Sequence, residues 1–300
     1  MPYTQVANLD FDNIKASLKE YLRSQKDFTD YDFEGSALAN LIDTLAYNTY
    51  YTAFNTNMVV NEMFIDSATL RDNVVALAKQ LGYRPKSATS PTAYVSFTVT
   101  YTNPTTDKEL SLKAGTGFIS TFDNVIYSYV VTSNVKAQVI NDVATFSNVP
   151  IREGTFLNNE FVVDNGSKSQ RFILDNPNID TNTISVTVYP GGGSFNEPYL
   201  VADNILDVDG DSKVFFVEET EDQRYEILIG DGVLGKKLEN NTRIDVSYLT
   251  TQGPVSNGVR AFVFSGVLEN ENGVTPNSFT TSIVSTVASA GGEEIESTQT

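Results

Sequence analysis

The chain has 300 residues, 40% apolar and 19% charged, which is enough for two or three packed units with their own cores. It holds no cysteine and no histidine, which excludes disulfides, zinc–thiolate sites, redox thiols, a Ser-His-Asp triad and every histidine general base. A formal charge of −18 repels phosphate, so a nucleic-acid partner is not expected.

The first residues, MPYTQVANLDFDN, lack a basic end and an apolar run, so no signal peptide is expected. No stretch approaches about 18 continuous apolar residues, so no membrane partner is expected either. Residues 1–82 read as helix. Phe11, Ile14, Leu18, Tyr21 and Leu22 recur at three and four, with Asp10 as N-cap. The second and clearest helix sets Leu38, Leu41, Ile42, Leu45, Ala46, Tyr50, Ala53 and Phe54 on one face, with Thr49 the polar interruption. Tyr47 and Tyr51 mark another side. They fit a small bundle that needs apolar surface on several sides, and equally a partner helix, since tyrosine is favoured at interfaces; the sequence leaves both open. A third stripe is Leu70, Val74, Leu77, Ala78 and Leu81, closed by Gly82 and barred by Pro85.

RPKSATSP, residues 84–91, reads as a linker. After it the period falls from 3.6 to 2. TAYVSFTVTY alternates, and GFISTF, VIYSYVVT, KAQVI, ATFSNV, EFVVD, QRFILD and TISVTVYP follow. The turn pairs between them include Asn103-Pro104, Asp123-Asn124, Asn141-Asp142, Asn165-Gly166 and Asn176-Pro177. GGGSFNEP, residues 191–198, is a candidate boundary; SKVFFVEE, QRYEILIG, TRIDVSYL and VRAFVFSG are further strands. The tail SIVSTVASAGGEEIESTQT shows a weak apolar beginning and no obvious final element. The expected fold is α+β: a helical segment over 1–86, a β-rich region over 92–190, and a second or continued one over 198–285. The sheets are expected to be mostly antiparallel and sandwich-like.

GDGVLGKK, residues 230–237, satisfies two nucleotide-binding spacings on paper. Both need a helix directly after the glycines, to hold phosphate on its free N–H groups. Here KLENNTRIDVSYL reads as a turn and a strand, and Lys237 stands where a phosphate loop has Ser or Thr. Gly230, Asp231, Gly232 and Gly235 are therefore read as a structural turn, a hairpin connection with positive φ at Gly232. Asp207, Asp209, Asp211 and Glu218 resemble a calcium loop, but Ser212 occupies the glycine position and a strand follows. An acidic turn is the preferred reading. Glu218, Glu219, Glu221 and Asp222 could pair for glycoside hydrolysis. Acidic runs are usually solvated loop tips, and the chain has no tryptophan to stack a sugar. No catalytic residue, cofactor, metal or small-molecule substrate is assigned.

Three stretches together carry a resemblance: DYDFEGSALANLIDTLAYNTYYTAFNTNMVVNEMFIDSATLRDNVVALAKQLGYRP (30–85), YEILIGDGVLGKKLENNTRIDVSYLTTQGPVSNGV (225–259) and ASAGGEEIES (288–297). In this order they resemble the baseplate J-like proteins of contractile-tailed phages, in particular the baseplate wedge proteins of T4-like phages. The middle stretch is similar to the family's Phe-Gly-Asp-Gly hairpin, with Ile229 for the Phe. The resemblance implies a structural virion protein without catalysis. It would lie in the tail baseplate, be assembled in the host cytoplasm, and form a homodimer with other wedge proteins in a hetero-oligomer around the tail hub. It also implies that 286–300 begin a further region. The side chains expected to carry the association are Leu38, Leu41, Ile42, Leu45, Tyr47, Tyr51, Phe54, Leu70, Val74 and Leu77. The alternatives are a glycan-binding or tail-fibre-like adhesion module, motivated by the many strands, and a carboxylate enzyme, motivated only by the acidic clusters.

Overall fold

The computed structural model describes residues 7, 10–25, 36–166, 170–202 and 205–297. The chain forms two compact units, one within residues 1–84 and one of residues 85–297.

Three helices build the first unit: α1 (Phe11–Ser24), α2 (Ala37–Glu62) and α3 (Arg71–Gln80). The starts of α1 and α2 are each closed by a local side-chain bond. Asp10 Oδ1 accepts from Asn13 N at 3.1 Å and Ser36 Oγ from Ala39 N at 3.0 Å, filling amides that a first turn leaves open. At the end of α3, Gly82 has φ +79. Its N–H bonds Lys79 O and that of Tyr83 bonds Ala78 O, the two bonds of a Schellman motif. The core of this unit is small. Its fully buried apolar side chains, among the described residues, are Ile42, Ala46, Ala68, Val75 and Ala78.

The second unit starts with β1 (Thr92–Tyr101), β2 (Glu109–Leu112), β3 (Gly117–Phe122), β4 (Val125–Val130), β5 (Val135–Ile140) and β6 (Val143–Glu153). Then come β7 (Thr155–Val162), β8 (Phe172–Leu174), β9 (Ile179–Tyr189), β10 (Glu197–Val201), β11 (Val214–Glu219), β12 (Tyr225–Ile229) and β13 (Arg243–Thr250). Last are β14 (Val263–Phe264), β15 (Leu268–Asn270) and β16 (Phe279–Ala290). The first sheet runs β14-β3-β4-β6-β5-β2-β15, and β1 lies between β6 and β16. The second runs β7-β13-β9-β10-β11-β12-β8. Every pairing is antiparallel except β10 with β11. The chain is thus α+β, helices first and mostly antiparallel sheets after.

Alternation sets the first core. In β1, Ala93, Val95, Phe97 and Val99 are fully buried while Tyr94 and Thr100 face out, the period of a pleated strand. Phe97 stacks on Phe146 at 4.9 Å and meets Phe118 edge-on at 5.5 Å. Two of the turn pairs read from the sequence form tight hairpins. Asp123-Asn124 joins β3 to β4 and Asn141-Asp142 joins β5 to β6, all four residues at positive φ, as two-residue hairpin turns require. The second core gathers Tyr248, Phe215, Leu174, Ile179 and Val246.

Several expectations change. The stretch 191–198 joins β9 to β10 inside the second sheet, whereas the chain passes from the first sheet to the second at Gly154. The supposed linker is packed: Ser87, Ala88 and Ser90 are buried, and Thr89 pairs with Glu293 as an isolated bridge. Small polar residues looked like slack chain, yet their size lets the segment lie flat against two sheets. The tail without an obvious element carries most of β16, a strand of twelve residues that begins three residues before it. Finally, Glu218 and Glu219 belong to β11 and not to a loop tip, and Glu219 is buried.

Candidate interface

α2 is a 26-residue helix, about 39 Å long. Of its apolar side chains only Ile42 and Ala46 are fully buried. At 100° per residue, Tyr47, Tyr51, Phe54 and Met58 form a second stripe on another side, spaced four, three and four. They are 56%, 49%, 41% and 37% exposed. Leu41, Leu45 and Val59 form a third, also exposed. A helix apolar on three sides, covered on one, leaves area that water solvates poorly. The rings of Tyr47 and Tyr51 meet at 4.9 Å, tilted by 54°. Hydrogen bonding with Tyr51, then burial, pushes the Tyr47 hydroxyl above its ordinary pKa, so its phenol stays neutral at pH 7.

The residues expected to carry association thus divide. Leu41, Leu45, Tyr47, Tyr51, Phe54 and Leu70 are exposed; Leu38, Val74 and Leu77 are half-buried. Ile42 is buried in the unit's own packing. The single wide face read over 38–54 is two faces, one inside and one outside. Met58 and Val59 extend the exposed stripes and were not singled out in the sequence. The spacing 47, 51, 54, 58 was the signal that could have found Met58.

The junction between α2 and α3 is held by one carboxylate. Leu70, the residue before α3, offers no side-chain cap. Glu62 of α2 supplies it: Oε1 accepts from Thr69 N at 2.9 Å and Thr69 Oγ1 at 2.7 Å, and Oε2 from Leu70 N at 3.3 Å and Asn73 Nδ2 at 2.8 Å. Burial works to raise the Glu62 pKa, but the bonds from Asn73, Thr69 and Leu70 outweigh it and hold the carboxyl down at about 2. A depressed carboxylate contributes stability above its unfolded pKa of about 4.3, and that contribution fades as pH falls towards 2. Glu62→Gln should therefore lower helical stability at pH 7 by about 1 kcal/mol, the size of a lost cap. It should also flatten the loss between pH 4.5 and 2, both read by circular dichroism in a urea series. An unchanged pH profile would mean that Glu62 is not the titrating group.

The glycine stretch lies in the connection between β12 and β13 and forms no anion site. Gly232 has φ +96 and Gly235 φ +90; Gly232 N donates to Gly235 O at 3.0 Å. Asp231 Oδ1 accepts from Leu234 N at 2.9 Å and Val233 N at 2.8 Å, and these bonds lower its pKa. Gly235 N and Lys236 N are spent on Asp209 O and Ser212 O. A strand follows, so no helix N-terminus is present to hold phosphate. The hairpin expectation is corrected: β12 and β13 are not neighbours, since β9, β10 and β11 stand between them. Positive-φ glycines report a tight reversal, not which strands will pair. Asp209 is likewise occupied in its own turn. It accepts from Ser212 Oγ at 2.5 Å and Asp211 N at 3.1 Å, which holds its pKa down. Among the described residues no group of three acidic, histidine or cysteine side chains is placed to hold a metal. No described helix is long and apolar enough to cross a membrane.

The open stripes of α2 lie inside the part of the chain with a known counterpart. Residues 10–83 match the family described as the helical domain of gp6-like baseplate wedge proteins. Over 278 residues, 87% of this chain, the sequence is 29% identical to the baseplate wedge protein gp6 of Enterobacteria phage T4. The chain spans 41% of the length of that relative, and its likeness runs through both the helical unit and most of the β unit.

Proposed function

We propose that this chain is a structural part of a contractile-tail baseplate wedge, binding a second copy of itself and another wedge protein through the open sides of α2. The observation that carries this reading is the stripe Tyr47, Tyr51, Phe54, Met58, exposed on a helix whose own unit buries, among the described residues, only five apolar side chains. Its spacing is that of a helix seam. The likeness of residues 10–83 to a wedge-protein helical domain supports the same reading. The wider baseplate J-like grouping stands on the three sequence stretches and belongs to this proposal. So do the place in the tail baseplate, assembly in the host cytoplasm and the absence of catalysis.

Burying such a stripe gains roughly 25 cal/mol per Å² of apolar area, less the cost of ordering the partners. Two lysines in its middle should undo much of that. Tyr51→Lys with Phe54→Lys should weaken association at least about tenfold, 1.4 kcal/mol. The test is sedimentation of the full chain at micromolar concentration, alone and with the cognate wedge proteins. A wild-type chain that stays monomeric in both mixtures overturns the reading. A monomer that instead binds on a glycan array favours the adhesion alternative.

A further inference from the structure

β16 pairs along one edge with β1, and its other edge meets no strand among the described residues. Thr102 N donates to Ser278 O at 3.2 Å. Alternate residues of an antiparallel strand bond to opposite sides. Thr280 and Ser282 therefore bond to β1, while Phe279, Thr281 and Ile283 turn their N–H and C=O groups to the open edge. No described group reaches those backbone atoms. Open strand edges are usually blunted by shortness, charge or a bulge. β8, β14 and β15 are two or three residues long, and β7 carries Glu160. A bulge at Val284, opposite Ser96 and Phe97, ends the regular run of β16. The stretch 279–283 has none of these protections.

We infer that a second copy of the chain adds its own β16 to this edge, antiparallel, about a two-fold axis at Thr281. Self-complementarity singles out this occupant. Phe279 and Ile283 lie on the core side of the sheet yet are only partly buried. A two-fold at Thr281 sets Phe279 of each copy opposite Ile283 of the other, completing the cover of both. On the outer side it sets Thr280 opposite Ser282, hydroxyl to hydroxyl. Like meets like on both faces, as a two-fold contact requires, and about six backbone hydrogen bonds close the edge. Charge points the same way. The chain carries 38 acidic residues and a net charge of −18, so most faces repel a second copy, but β16 and β1 contain no charged residue in either strand. This contact goes beyond the proposed use of α2 and does not rest on it.

The chain has no cysteine, so Thr280→Cys with Ser282→Cys supplies the sole thiols. The pairing places 280 and 282 in non-hydrogen-bonded pairs, with Cα atoms about 4.5 Å apart, within disulfide reach. Mild oxidation of the full chain should give a covalent dimer as the main product. The same pair one strand inward, Thr98→Cys with Thr100→Cys, should not. Tyr51→Lys with Phe54→Lys should leave the 280/282 cross-link intact, which separates this contact from the helical one. Thr280→Lys with Ser282→Lys should remove one step of association in sedimentation, with an unchanged circular dichroism spectrum. Cross-linking at 280/282 no better than at 98/100 overturns the inference, as does an unchanged mass in the lysine variant. A covalent product formed only with a different added protein would show that the edge takes a foreign strand and overturn it as well.

Discussion

Gly154→Ala should destabilise the β unit by about 3 kcal/mol or more. Gly154 has φ +134, a backbone region closed to side chains. An added Cβ would also fall inside the van der Waals shell of the Thr250 carbonyl oxygen and 3.0 Å from Leu249 Cγ. Neither neighbour can step aside. Thr250 is held in the ladder between β7 and β9, and Leu249 is fully buried. The residue sits where the chain leaves β6 for β7, its N–H bonded to Ser128 O at 2.9 Å, so strain there reaches both sheets. Gly82→Ala is the matched control: φ is +79, but nothing lies within 4 Å of the added carbon, so only about 1 kcal/mol should go. Urea midpoints of the two variants test this. Equal losses would mean that the β6–β7 passage can relax, and that crowding at Gly154 does not limit the fold.

That glycine went unmarked in the sequence, and the reason separates what is legible from what is not. Period is legible. The helix at 37–62 and the strand TAYVSFTVTY could be read directly, because one buried face imposes its own spacing on the residues. So were the Asp123-Asn124 and Asn141-Asp142 reversals, because their φ demand is local. Pairing between distant strands is not local. Nothing near GDGVLGKK tells that three strands separate β12 from β13, and nothing near IREGTF tells that Thr250 will lie against Gly154. β16 was missed for a different reason. It is an edge strand rich in Ser, Thr and Ala, half-buried on one side, so its apolar alternation is faint although its residues suit a sheet. On α2 the apolar residues were legible and their division was not. Ile42 and Leu45 look equivalent in the sequence, and only the packing within the helical unit decides which one water still reaches.

The other large effect is expected at Asp180, where the segment 87–91 is fastened to the β unit. Its side chain is fully buried. Oδ2 accepts from Ser90 N at 2.9 Å, Ser90 Oγ at 2.5 Å and Arg152 Nη1 at 3.3 Å, and Oδ1 from Asn182 N at 3.1 Å. Beside it, Ser87 Oγ accepts from Thr181 N at 3.1 Å. Asp180→Ala would strand a buried amide, a buried hydroxyl and a guanidinium at once. Removing one partner of a buried ion pair costs about 3 to 5 kcal/mol. Arg152 keeps 30% of its side chain in water and can turn outward, so the lower figure, about 3 kcal/mol, is expected. Asp180→Asn retains an acceptor for Ser90 and should lose less. Neither variant keeps the carboxylate, so no ion pair is left for added salt to screen, and the difference between the two should not change with salt. Amide exchange gives the local reading: Ser90 N–H should exchange faster in Asp180→Ala while the buried amides of β1 keep their protection. If Ser90 exchange did not change, the bridge to Glu293 and the packing of Ala88 would be sufficient to hold the segment, and Asp180 would serve β9 alone.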